Sequence, residues 1–277
     1  MRRNSMKADH TEPLRIICPV KFVPDVDGFS YDYEHSRLNR SYQRMILNPD
    51  DACAVAFALQ VKQAHPSAHI EVVTMAPRTV EPHLLDLLRL QIDTGVLITD
   101  PAFAGSDTYA TTTVLETYLG GRSYDCILTG TCTLDGATSQ VPAQLAQSLG
   151  LDHMQDITGI DLNSFDREQA VFTVEDDNDT YTYQMALPGI LSLTRASGYK
   201  LPYIAYEDFT KDVSANLTVV TNQELRCPPE QIGLTGSLTQ VVETFVPEHQ
   251  RREHRTVQVD EDGIEYIYTM LKERGYV

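Results

Sequence analysis

The segment Gly130-Thr131-Cys132-Thr133-Leu134-Asp135-Gly136-Ala137-Thr138-Ser139-Gln140-Val141 holds the residue types best suited to chemistry in this chain. Its glycines permit close backbone approach, and Thr138 and Ser139 can cap a helix while offering hydroxyls to a phosphate oxygen. A helix starting near Thr138 would add unpaired N–H groups and partial positive charge. The chemistry implied is anion binding without a lysine cluster. The same residues also suit an ordinary strand-to-helix loop with a good cap, so the segment alone leaves both readings open.

Three more loops of this kind follow short apolar runs: Cys18-Pro19-Val20-Lys21, Thr74-Met75-Ala76-Pro77 and the stretch from Asp100 to Thr111. Ligands of open parallel sheets collect at such strand ends. Other chemistries lack their signatures. The sequence has no GxGxxG after a strand, no GxxxxGK[ST], no HExxH and no GxSxG. Histidines 10, 35, 65, 69, 83, 153, 248 and 254 are scattered through polar contexts and read as solvated, and Asp176 to Asp179 read as a hairpin tip. The five cysteines at 18, 53, 126, 132 and 227 form no CxxC pair, so neither a metal site nor a disulfide framework is expected, and Cys53 and Cys126 read as small core residues. No catalytic residue is assigned.

The elements that position these loops alternate. Leu14–Val20, Ala68–Met75, Gly95–Ile98 and Tyr124–Thr129 are short apolar strands; Pro49–His65, Val80–Gln91, Asp107–Leu119 and Thr138–Leu149 are helices between or after them. Asn48-Pro49-Asp50-Asp51 is a strong helix start. This rhythm predicts an α/β fold, a doubly wound and mostly parallel, Rossmann-like sheet. After Gly150, runs at Ile157–Leu162, Gln169–Val174, Thr180–Leu187 and Ile190–Thr194 leave no room for helices and predict antiparallel strands at one edge, and Phe29–Leu38 suggests a small hairpin. The domain reading is a disordered tail over 1–13, an α/β nucleotide-binding domain over 14–194, a loop and extended arm over 195–256 that wraps a partner subunit, and a C-terminal helix over 257–277. With 39 acidic against 22 basic residues, net −17, nucleic acid is a poor partner. No run of 18 apolar residues occurs, so membrane insertion is not expected and a cytoplasmic location is.

Taken in order, Val20-Lys21-Phe22-Val23-Pro24-Asp25, Leu47-Asn48-Pro49-Asp50-Asp51, Val72 to Pro77, Asp100 to Thr111, Gly130 to Val141 and Gly233-Leu234-Thr235-Gly236-Ser237-Leu238-Thr239 resemble the beta subunit of electron transfer flavoproteins and the related fix-type proteins. The resemblance implies a heterodimer with an electron transfer flavoprotein alpha subunit, flavin chemistry centred on FAD in that subunit, and either AMP or a second FAD in this one. It places the nucleotide against Pro19, Asn48, Pro49, Asp50, Asp51, Met75 and each residue from Gly130 to Val141. It aligns Leu201-Pro202-Tyr203-Ile204 with a loop that docks on an acyl-CoA dehydrogenase or another flavin dehydrogenase, with Leu201 as its apolar plug. The family's basic residue, Gln and Ala after the first glycine stand here as Thr131, Cys132 and Thr133, and a family Asp as Ala137, which leaves the nucleotide open. The alternative is a nucleotide-binding interaction protein of the same fold without redox-active flavin.

Overall fold

The computed structural model describes residues 13–25, 30–32, 37–39, 44–240, 242 and 256–277. In chain order its strands and helices begin with β1 (Arg15–Pro19), β2 (Phe22–Pro24), β3 (Ser30–Asp32), β4 (Arg37–Asn39), β5 (Met45–Leu47) and α1 (Pro49–Ala64). They continue with β6 (His69–Met75), α2 (Glu81–Leu88), β7 (Thr94–Ile98), α3 (Thr108–Leu119), β8 (Cys126–Gly130) and α4 (Val141–Leu149). Then come β9 (Asp152–Ile160), β10 (Gln169–Asp176), β11 (Asp179–Ala186), β12 (Gly189–Leu193), β13 (Leu217–Val220), α5 (Asn222–Leu225), α6 (Gly233–Gly236) and α7 (Glu261–Glu273).

Nine strands form one sheet in the order β11-β10-β9-β12-β8-β1-β6-β7-β13. Eight run in one direction, and β10 alone runs opposite, antiparallel to its neighbours β9 and β11. Alternate strand residues feed two cores, as strand geometry requires. Ile16, Cys18, Ile70, Val72, Leu97 and Leu128 pack with α1 and α2, and Ile17, Val73, Val96, Ile98 and Ile127 pack with α3 and α4. Helix α1 carries alanines at 52, 54, 56, 58 and 64, small enough to lie close on the sheet.

The chain moves from β1 outward through β6 and β7, then returns across β1 to β8. The strand order therefore reverses between β1 and β8, and a crevice opens beyond their carboxyl ends.

Two expectations need correction. The four strands after Gly150 are not all antiparallel edge additions: β12, the segment Gly189–Leu193, lies parallel between β8 and β9. Its five residues are all buried, the mark of an interior strand. Helix α4 begins at Val141, not Thr138, because Ala137 and Ser139 have φ of +49° and +53°, outside the right-handed helix. The arm from Arg195 contributes to the sheet and its core. β13 joins the far edge beside β7, and Val220, Cys227 and Ile232 enter the second core.

β3 and β4 do form the small antiparallel hairpin. The described chain up to Gln240 makes one compact unit, and a second begins at Val241. In that second unit Asp260 caps α7 by accepting from the N–H of Gly263 at 2.8 Å. Most of the expected tail, and the arm from 243 to 255, lie outside the described residues.

Candidate functional site

The carboxyl ends of β1, β6, β7 and β8 surround a cavity of about 970 Å³. Pro19, Met75, Ile98 and Gly130 contribute from the strand ends, Phe103 and Thr108 from beyond β7, and Gly136, Thr138 and Ser139 from the segment before α4. The crevice that the strand order calls for is thus present at this edge.

The start of α1 holds the 130–135 loop in place. Asn48, 1% exposed, donates from Nδ2 to the carbonyl of Cys132 at 2.8 Å and accepts at Oδ1 from the N–H of Leu134 at 3.2 Å. Asp51 accepts from the N–H of Gly130 at 2.9 Å and of Lys21 at 2.8 Å, tying the ends of β8 and β1 together. Asp50 accepts from the N–H of Cys132 at 3.1 Å and of Arg195 at 3.2 Å. A Cβ on Gly130 would stand 2.4 Å from Asp51 Oδ1, so glycine here serves the approach of α1 rather than that of a ligand. Burial pushes the Asp51 carboxyl up to about 7, against the two backbone donors that favour its charge.

Beyond this anchored portion the loop changes character. Ala137 donates its N–H to the carbonyl of Thr133 at 2.9 Å, whereas the N–H groups of Gly136, Thr138, Ser139 and Gln140 have no acceptor among the described residues. Left-handed backbone at Ala137 and Ser139 is unusual for residues with a Cβ, and alternation of this kind turns successive N–H groups into an anion-binding concavity. The free donors, the two hydroxyls and the adjacent end of α4 fit a phosphate group. Lys21 is already paired with Asp135 at 2.7 Å, and Lys21 with Thr133 holds that carboxyl below the usual range although burial opposes its charge. Arg78 also lines the cavity and has no ion-pair partner among the described residues.

The opposite wall is fixed by the segment around α6. Ser237 accepts at Oγ from the N–H of Asp107 at 2.8 Å, and Thr239 donates to Asp107 Oδ2 through N–H and hydroxyl at 2.8 and 2.9 Å. Burial opposes the charge on Asp107, but these donors and the N–H of Ala110 hold it below the usual carboxylate range. Gly233 has φ of +60°, and a Cβ there would sit 2.2 Å from the carbonyl of Ala102. The Gly-Leu-Thr-Gly-Ser stretch is therefore the clasp of the 100–107 loop.

A model of the electron transfer flavoprotein domain matches residues 37–198, more than half of the 277-residue chain. The chain belongs to the electron transfer flavoprotein family. The acryloyl-CoA reductase electron transfer subunit gamma of Anaerotignum propionicum is 28% identical over 272 residues, covering 95% of this chain and all of its own. The electron transfer flavoprotein subunit beta of Thermoanaerobacterium thermosaccharolyticum is 29% identical, with coverage of 86% and 90%. Protein FixA of Sinorhizobium fredii is 31% identical, with coverage of 89% and 87%. Within the family the likeness is to the beta-type and FixA subunits.

In this electron transfer flavoprotein chain, Pro19, Asp51, Met75, Gly130, Thr131, Thr133, Gly136 and Thr138 to Val141 line the cavity. Asn48, Pro49, Asp50, Cys132, Leu134, Asp135 and Ala137 are not among its lining residues; Asn48, Asp50, Cys132 and Leu134 belong to the scaffold behind it. In the expected docking loop, Leu201 and Ile204 are half-buried and packed against the first core, while Pro202 and Tyr203 are exposed, Tyr203 almost fully. Arg78 escaped the sequence reading. Its only signal was position, three residues past the end of β6. All five cysteines are free thiols, and the described residues contain no metal-ligand cluster.

Proposed function

We propose that this chain is the beta-type subunit of a heterodimeric electron transfer flavoprotein and holds an adenine nucleotide in the carboxyl-edge cavity. The observation that carries the reading is the run of unpaired N–H groups at Gly136 and Thr138 to Gln140 on the wall of a cavity between four strand ends. The phosphate would lie on those donors, with the hydroxyls of Thr138 and Ser139 beside it. Small-molecule sites span roughly 300–1,000 Å³. A cavity of about 970 Å³ with the Arg78 guanidinium on its wall favours FAD over AMP.

A bound flavin would supply the electron transfer. The chain's own residues bind and orient it: Pro19, Met75 and Phe103 give apolar walls, and the 136–140 donors meet its phosphates. No side chain is asked to act as acid or base.

The partners proposed are an alpha subunit and a flavin-dependent dehydrogenase or reductase, the latter met by the loop from Leu201 to Ile204. Because Leu201 is packed inward, exposed Tyr203 is the better candidate for the apolar contact, with Tyr206 and Phe209 exposed nearby. The acidic run at Glu207 and Asp208 would repel an acidic docking surface. Free cysteines support a reducing, cytoplasmic setting. No helix among the described residues is long and apolar enough to cross a membrane.

The test is co-expression with an alpha subunit, an absorbance spectrum and identification of nucleotides released on denaturation. Two flavins per heterodimer support FAD in this chain, and one flavin with AMP supports the smaller ligand. A colourless heterodimer overturns the electron-transfer reading and leaves an interaction protein of the same fold.

A further inference from the structure

At the amino edge of the sheet, away from the nucleotide cavity, Arg15, Arg122, Ser123, Tyr124, Asp125 and Arg167 line a second cavity of about 530 Å³. β1 runs from Arg15 in this cavity to Pro19 in the other, so four strand steps of about 3.3 Å each separate them.

Three arginines and one carboxylate on a single cavity wall are a local reversal in a chain of net charge −17. Asp125 orients the group rather than neutralising it. Its Oδ2 accepts from the backbone N–H of Arg15 at 2.8 Å and its Oδ1 from Arg167 Nε at 3.0 Å, so both oxygens are engaged. The guanidiniums of Arg15 and Arg122 have no ion-pair partner among the described residues. Arg122 is held from below instead, 4.5 Å over the ring of Tyr118, whose hydroxyl donates to buried Glu71 at 2.9 Å. The hydroxyls of Ser123 and Tyr124 add neutral donors, and burial raises the Tyr124 phenol, which keeps its proton in place.

The cavity wall thus offers hydrogen-bond donors and positive charge, with its one carboxylate already satisfied. Guanidinium forks match the planar pairs of oxygens on carboxylates and phosphates. With Arg167 engaged by Asp125, the forks of Arg15 and Arg122 are two positive groups without a carboxylate of their own among the described residues. We infer that this cavity is a binding site for a multiply charged phosphate-type oxyanion, either free or carried on a larger ligand, separate from the nucleotide cavity.

Calorimetric titration of the full-length protein with inorganic pyrophosphate, in the presence of saturating FAD to occupy the nucleotide cavity, tests it, with acetate as the singly charged control. Pyrophosphate binds and acetate does not. Arg122→Ala, which alters an exposed side chain, weakens binding at least tenfold, as does Arg15→Gln. Lys200→Ala, which removes an exposed positive charge elsewhere, stays within twofold. ADP titrated under the same FAD-saturated conditions separates the sources: ADP affinity that exceeds that of pyrophosphate and is lost in Arg122→Ala marks a nucleotide-borne phosphate, and equal or weaker ADP affinity marks the free ion. Absence of pyrophosphate binding, or binding that Arg122→Ala leaves intact, overturns the inference.

Discussion

Replacing Asn48 with alanine separates a residue that holds the loop from one that touches the ligand. The wild-type side chain, 1% exposed, closes two hydrogen bonds across 84 and 86 positions of sequence, to Cys132 and Leu134. A net hydrogen bond contributes about 1 kcal/mol, and a buried polar group left without a partner costs about 1–3 kcal/mol. Asn48→Ala strands the Cys132 carbonyl and the Leu134 N–H, both in a half-buried loop that water can partly reach. The expected loss is roughly 2–4 kcal/mol, nearer the lower figure because of that access. The chain has no tryptophan, so urea unfolding is followed by far-ultraviolet circular dichroism. The midpoint falls while the slope is unchanged, because the surface exposed on unfolding stays the same. Nucleotide affinity falls with it as the tether goes. Thr138→Ala reverses the pattern, weakening nucleotide binding with little effect on the midpoint. An Asn48→Ala protein within about 0.5 kcal/mol of wild type that nevertheless binds nucleotide tenfold more weakly would refute the reasoning and make Asn48 a ligand contact.

Asp51 has a folded pKa of about 7, raised by burial from an unfolded value of about 3.9. The folded chain therefore holds an extra proton between those values, and stability contributed at low pH is lost as pH rises through the window, by roughly 4 kcal/mol from this group alone. The stability gap between wild type and Asp51→Asn should change across pH 4–7 in that sense, and a constant gap would count against it. Gly233→Ala places a Cβ 2.2 Å from the Ala102 carbonyl at φ of +60°. It should cost roughly 1–3 kcal/mol and speed hydrogen exchange over residues 231–239, and unchanged exchange would mean that the clasp is dispensable. Tyr203→Ala should slow electron transfer from the cognate dehydrogenase with stability unchanged, while Leu201→Ala lowers stability. Stopped-flow rates and melting curves giving the opposite assignment would return the docking role to Leu201.

The parallel core was legible because its strands are short apolar runs alternating with helix-length segments, the clearest helix start being Asn48-Pro49. The loops at the carboxyl edge followed from the sheet itself. What the sequence hid is long-range. Nothing local in Gly189–Leu193 says that it enters between β8 and β9, although its unbroken burial pattern is an interior strand's. The alternation of strand and helix also could not show that Asn48 and Asp50 face the loop from behind rather than the cavity. The start of α4 was misplaced because Thr138 and Ser139 are good caps by type, and only the backbone angles at Ala137 and Ser139 reveal that the chain stays irregular until Val141.

The central claim is that the free N–H groups before α4 receive a phosphate. Hydrogen exchange read by mass spectrometry, with and without added FAD or AMP, addresses those groups directly. Peptides covering 133–141 should gain protection of at least tenfold on nucleotide addition, while the β11 edge at 181–185 should not. Equal exchange over 133–141 with nucleotide bound would place the phosphate elsewhere and contradict the account.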